Sequence, residues 1–190
     1  KLFSHIQDID VITISSVHFG IDKNGHKNIY INDNLPTDSI FNTLWTETEE
    51  CYNQGVTIML MIGGAGGAYQ QLFSDFKTYY PLLKQLLTQK TFIGGINLDI
   101  EEMVDINNLK MLIRLLKDDF PHFKISMAPI AESMISDSSG MGGFSYKDLY
   151  NSYEEQFIDW YNVQCYDSFS FETYDKIIKN GYPADKIVMG

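Results

Sequence analysis

The stretch Phe92-Ile93-Gly94-Gly95-Ile96-Asn97-Leu98-Asp99-Ile100-Glu101-Glu102 begins as an apolar strand and ends in acid. Side chains along a strand point alternately to opposite faces. Ile96, Leu98 and Ile100 thereby share one face, and Gly95, Asn97, Asp99 and Glu101 share the other. The first face suits packing against helices. The second lines up an amide and two carboxylates. Burying such groups without partners costs roughly 2–7 kcal/mol for a neutral polar group and more for a charge. A strand that only held a fold together would not be expected to carry that row. The plainer alternative is a strand edge with a solvated acidic end.

Composition narrows what such a row can serve. The 190 residues suit one domain, and a hydrophobic share of 44% is enough for a real core. The net charge of −11 argues against a nucleic-acid backbone or an anionic membrane surface as partner, since both need clustered Lys and Arg. A neutral ligand such as a sugar fits better. Cys51 and Cys165 give neither a spaced metal pair nor a disulfide framework, and are expected as buried thiols. No apolar run approaches the roughly 18–20 residues of a membrane span. The chain starts at Lys1 and shows no signal-peptide pattern, which leaves the compartment open.

Outward from the acidic strand, strands and helices alternate. Lys1–Asp8 reads as a helix tail or loop. Val11–Val17 is a β-branched strand, and Asn24-Gly25 between short apolar runs signals a hairpin leading to Asn28–Ile31. A helix is expected from Pro36-Thr37-Asp38 to about Gln54, stopped by Gly55. Val56–Ile62 is a continuous apolar run, as in a strand buried on both faces, and ends in Gly63-Gly64-Ala65-Gly66-Gly67. No Gly-Lys-Ser/Thr follows, so this is not a phosphate loop. Helical pattern runs from Tyr69 to about Gln89 with a break expected near Pro81. Leu109, Leu112, Ile113, Leu116 and Phe120 form one apolar stripe behind an Asp105 cap. Lys124–Ala128 is a short strand. Residues 130–145 read as a long loop, of the kind that often binds ligand. Helical segments fill Tyr146–Asp159. Trp160–Tyr166 is a strand, Phe171–Asn180 a helix capped by Gly181, and Lys186–Met189 a strand. Six such strands alternating with helices imply a parallel sheet covered by helices, with polar residues or glycine at the C-terminal strand ends. A (β/α)8 barrel places its active site there. An open doubly wound sheet also uses those ends, but no dinucleotide fingerprint follows any strand.

These residues resemble a known family. Gly95-Ile96-Asn97-Leu98-Asp99-Ile100-Glu101 resembles the DGxDxDxE signature of glycoside hydrolase family 18, the chitinase family, which lies on its fourth barrel strand. Met61-Ile62-Gly63-Gly64 resembles the SxGG end of the third strand. Phe19-Gly20-Ile21-Asp22 with Asn24-Gly25 is similar to the second strand and its turn, and Ser126-Met127-Ala128-Pro129 to the fifth strand. Val163-Gln164-Cys165-Tyr166-Asp167 is similar to the sixth, and Lys186–Gly190 to the seventh. The resemblance covers essentially the whole chain. It implies a TIM (β/α)8 barrel, incomplete over residues 1–190: strands two to seven are present, and the first and eighth are missing.

The resemblance also implies a chemistry. Glu101 matches the general acid, and the substrate's own N-acetyl group serves as nucleophile. Asp99 matches the residue that orients the acetamido N–H, and Tyr166 the hydroxyl that holds the acetamido oxygen. Asn97, Gln164, Asp167, Gly63, Gly64, Met127 and Tyr69 are the expected substrate-binding residues. No metal or cofactor is expected. The implied partner is a polysaccharide or oligosaccharide containing N-acetylglucosamine, bound by a monomer, and the resemblance alone favours a secreted or extracellular protein. The chain departs from the signature at Gly94 and Asn97, where Asp is usual, and at Met61, where Ser is usual. An amide at 97 cannot take a proton from Asp99. Ala65 stands where an aromatic often follows the glycine pair, so Tyr69, Phe144 or Tyr146 would have to supply the stacking platform. A chitinase-like lectin that binds such sugars without turnover is therefore the alternative. A barrel enzyme for phosphorylated substrates ranks below both, because no basic phosphate site follows a late strand.

Overall fold

The structure, a computed structural model, describes residues 6–190, which divide into two compact units meeting in sequence at Ile96 and Asn97. Of the expected Lys1–Asp8 helix tail or loop, residues 6–8 form a turn of 3-10 helix and the rest lies outside the described residues.

In the first unit, strand β1 (Val11–Ile21) turns back into β2 (Lys27–Ile31) through the hairpin expected at Asn24-Gly25. Asp22 ties this turn, accepting from the backbone N–H groups of Asn24 and His26 at 2.8 Å each. The two strands pair antiparallel from Val17↔Ile31 to Ile21↔Lys27. On its other side β1 pairs parallel with β3 (Thr57–Gly63), and the order in this unit is β2-β1-β3-β4. Strand β4 (Ile93–Asp99) runs across the boundary. Ile58, Met59, Leu60 and Ile62 are all fully buried, as a run apolar on both faces requires.

Helix α1 (Asn42–Asn53) follows a 3-10 turn that Asp38 caps through the N–H of Ile40. It buries Trp45, whose indole N–H donates to the carbonyl oxygen of Pro36 at 3.0 Å. Helices α2 (Ala68–Ser74) and α3 (Phe76–Gln89) break at Asp75, not at Pro81 as expected. Asp75 leaves helical dihedrals and accepts from Lys27 on β2 and from Thr78. Pro81 is accommodated inside α3.

The second unit orders its strands β4-β5-β6-β7, with β5 (Lys124–Met127), β6 (Trp160–Val163) and β7 (Ile187–Met189) parallel neighbours. Helix α4 (Ile106–Asp119) is capped by Asp105, which accepts from the N–H of Asn107 at 2.8 Å. Its stripe of Leu109, Leu112, Ile113 and Leu116 is fully buried, each side chain contributing about 1.5–3 kcal/mol of apolar transfer. Phe120, expected at the end of the stripe, is the helix's C-cap and only half-buried. Residues 130–145 are not a featureless loop. They hold helix α5 (Ala131–Ile135) and a bridge between Ser139 and Ser145. Helix α6 (Tyr146–Tyr150) and a 3-10 turn over Tyr153–Phe157 follow. Helix α7 (Phe171–Lys179) starts on Ser170, whose hydroxyl accepts from the N–H of Thr173. Arg114 of α4 pairs with the buried Glu154 at 2.8 Å, so that carboxylate is not buried alone. The thiols of Cys51 and Cys165 are both buried and free.

Candidate active site

Strand β4 ends at Asp99, and Glu101 follows two residues later. Asp99 is 6% exposed and Asn97 is 2% exposed, so the polar face of this strand points into the protein. The solvated-edge alternative does not hold for these two residues. Glu101 stands near enough for its charge to act on the Asp99 carboxyl. Burial first, and then the Glu101 charge, push the Asp99 carboxyl up to about 6. The neighbouring negative charge disfavours ionisation of Asp99.

Gln164 organises the other side of Asp99. Its Nε2 donates to Asp99 Oδ1 at 3.0 Å and to the carbonyl oxygen of Ala128 at 2.7 Å. Its Oε1 accepts from the Tyr166 hydroxyl at 2.5 Å. One amide thus links the buried acid to a phenol that is 76% exposed. Tyr166 holds a positive φ of 31°, an uncommon conformation for a residue with a side chain, just past the end of β6. Asp167 beside it is also exposed. Tyr146 contributes a buried hydroxyl without a hydrogen-bond partner, whose deprotonation is opposed by burial and then by the charge of Asp99.

Several expected binding residues are placed otherwise. Asn97 does not face solvent: its Nδ2 donates to Ser126 Oγ at 2.8 Å, one strand over on β5. It supports the site from below. Ser126, fully buried, is a partner that sequence alone does not mark; its polar side chain inside an apolar strand is the only signal. Met127 is fully buried and packs in the core, so it offers no surface to a ligand. Tyr69 is likewise fully buried, and its hydroxyl donates to the carbonyl oxygen of Ile62 at 2.7 Å. It is a packing residue, not a stacking platform. The same correction applies to Phe144 and Tyr146, both buried. Gly63 and Gly64 belong to the first unit, where both adopt positive φ, 104° and 75°.

Cavities of about 420 and 470 Å³ lie within the first unit, but neither is lined by paired acids. Among the described residues no group of three or more His, Cys, Asp and Glu side chains is arranged to hold a metal ion.

Solved structures similar to this chain share both the fold and the sequence. A fungal endo-β-N-acetylglucosaminidase of glycosyl hydrolase family 18 is 35% identical over 94% of this chain and 65% of its own, with a TM-score of 0.82. Chitinase ChiC from Aspergillus fumigatus is 30% identical over 90% of this chain and 63% of its own, with a TM-score of 0.80. A family 18 chitinase from Pseudoalteromonas aurantia, 18% identical with a TM-score of 0.66, shares the fold over 95% of this chain and 72% of its own. The chain spans 65% and 63% of the length of the first two. These neighbours are TIM barrels, and the alternating strands and helices here form an incomplete version of that fold. No protein-family model and no curated protein sequence matches the chain.

Proposed function

Because this chain belongs to glycoside hydrolase family 18, we propose that it hydrolyses β-1,4 bonds between N-acetylglucosamine units in chitin or chitooligosaccharides, with Glu101 as proton donor. The observation that carries this reading is the Asp99–Glu101 pair, two carboxyls two residues apart at a strand end, the buried one under the charge of the other and held by Gln164.

Glu101 gives its proton to the glycosidic oxygen as the bond to the anomeric carbon breaks. The carbonyl oxygen of the sugar's N-acetyl group forms the new bond to that carbon, so no enzyme nucleophile is required. Asp99 accepts the acetamido N–H and offsets the positive charge on the cyclic intermediate. Tyr166 turns its hydroxyl from Gln164 to the acetamido oxygen, and Gln164 and Asp167 flank the same sugar. Water then attacks the anomeric carbon and gives a proton to Glu101 as the bond to the N-acetyl oxygen breaks, which leaves the configuration retained. The proton for the first step sits on Glu101, beside an Asp99 carboxyl that burial and the Glu101 charge hold above the ordinary range.

Two other readings have specific support. Gly94, Asn97 and Met61 favour a lectin that binds without turnover. The 35% identity to an endo-β-N-acetylglucosaminidase favours cleavage within a glycan containing N-acetylglucosamine over attack at chain ends. The deciding experiment measures hydrolysis and binding of N-acetyl-chitooligosaccharides by full-length protein and by Glu101→Gln. Loss of turnover by about 10²–10⁴-fold with binding retained is the expected result. A parent protein that binds but releases no product is the lectin.

A further inference from the structure

The segment 130–145 has a use that sugar binding does not absorb. Its second half closes on itself: Gly140 N–H donates to Phe144 O at 3.1 Å and Gly143 N–H to Gly140 O at 3.0 Å. Gly143 takes a φ of 73°, in the left-handed region that glycine enters without a Cβ clash. This turn touches the chain on both sides of Glu101. Before it, the Cγ2 of Ile100 lies 3.0 Å from where a Cβ on Gly142 would stand. After it, the N–H of Val104 donates to Gly142 O at 2.9 Å. Met103 lies over Gly143 so closely that a Cβ there would overlap its Sδ and Cε.

Glu101 needs such support. Strand β4 has ended at Asp99 and helix α4 starts only at Ile106, so neither a ladder nor a helix fixes the backbone between. The turn also reaches the other acid. The Phe144 ring lies 4.9 Å from that of Tyr146, whose buried hydroxyl is under the charge of Asp99. The polar groups facing Asp99 are then Glu101, Gln164 and Tyr146.

We propose that the Gly140–Phe144 turn sets the position of Glu101 against Asp99, making Gly142 and Gly143 positioning residues of the acid pair. The catalytic half of this statement rests on the glycosidase reading above; the geometric half does not. A methyl group at Gly142 would stand 2.5 Å from Phe144 Cε1 and 3.0 Å from Ile100 Cγ2. The Phe144 ring is buried and cannot swing into solvent, so the pressure passes to Ile100 and on to Glu101.

The test compares full-length parent and Gly142→Ala by carbon-13 NMR titration of the Asp99 and Glu101 carboxyls, and by hydrolysis of chitooligosaccharides. The expected result is an Asp99 midpoint lowered by roughly half a pH unit or more as Glu101 retreats. With it, kcat falls about 10–100-fold while KM stays within about twofold. A relief variant, Gly142→Ala with Phe144→Leu, removes the opposing ring atoms and restores both readings. If Gly142→Ala does not fold, Met103→Ala at an exposed position replaces it, and a shift in the same direction is expected. A folded variant with the parent's carboxyl midpoints overturns the proposal. A shifted titration in a protein that shows no parental turnover supports the positioning role and refutes the glycosidase reading instead.

Discussion

Strand β3 ends in Gly63-Gly64-Ala65-Gly66-Gly67, and strand β4 ends in Asp99-Ile100-Glu101. Both are exits from buried apolar strands, yet they are built from different materials. The first is backbone: Gly63, Gly64, Gly66 and Gly67 all hold positive φ, and what matters there is the absence of a side chain. The second is side chain: the Asp99 carboxyl is held by the amide of Gln164 and lies under the charge of Glu101, and what matters there is protonation. A change at the first exit should therefore act on stability with no pH signature. A change at the second should act on turnover and carry one.

After Glu101→Gln, the largest effect should come from Asp99→Asn. The amide oxygen still accepts from Gln164 Nε2, so the local geometry is kept. Turnover should fall about 10²-fold, because the amide cannot offset the charge of the intermediate. Stability should move the other way. The native Asp99 carboxyl is raised from 3.8 to about 6, so folding favours its protonated form. That contribution is fully present below pH 3.8 and is lost as pH rises through about 6. At neutral pH the ionised parent carries a cost of up to roughly 3 kcal/mol that the variant lacks. Urea unfolding of both proteins at pH 4 and pH 7.5 checks this: the variant's advantage should appear only at the higher pH. An advantage of equal size at both would mean that the Asp99 carboxyl is not raised in the folded protein.

A smaller effect, and one of the opposite kind, is expected for Gly64→Ala. Its φ of 75° costs an L-residue about 1–2 kcal/mol. The loss of stability should be the same at pH 4 and pH 7.5, read from the urea midpoint at constant slope. A pH-dependent loss would erase the contrast between the two strand exits.

The two exits were not equally legible in the sequence. The acid pair follows from a period of two, and so does the inward polar face of Asn97 and Asp99. The family resemblance added Gln164 and Tyr166, but not what joins them. That Gln164 links Tyr166 to Asp99 is a contact between residues 65 apart in sequence. No local pattern encodes it. For the same reason Asn97 was expected at the sugar, whereas Ser126, 29 residues away, claims its amide. The helix break moved to Asp75 because Lys27 on β2, 48 residues away, reaches that carboxylate. The cap at Asp105 and the apolar stripe Leu109–Leu116 are legible in the sequence, because the physics there is local. The segment 130–145 was the hardest to read, since glycines chosen for close approach look the same in sequence as glycines chosen for flexibility.

Tyr69 tests the comparison at its finest grain. It stands just past the glycine exit, in helix α2, and a tyrosine beside a glycine pair invites a role in sugar stacking. Its hydroxyl instead donates to the carbonyl oxygen of Ile62, the residue before Gly63, and its ring is fully buried. Tyr69→Phe keeps the ring and deletes that bond. Removing one buried hydrogen bond of this kind costs about 1 kcal/mol. Stability should drop by that amount at every pH, while KM for chitooligosaccharides and the pH profile stay as in the parent. A raised KM without loss of stability would show the phenol to be a ligand contact. The β3 exit would then have to be counted, with the β4 exit, among the parts of this chain that work through side chains.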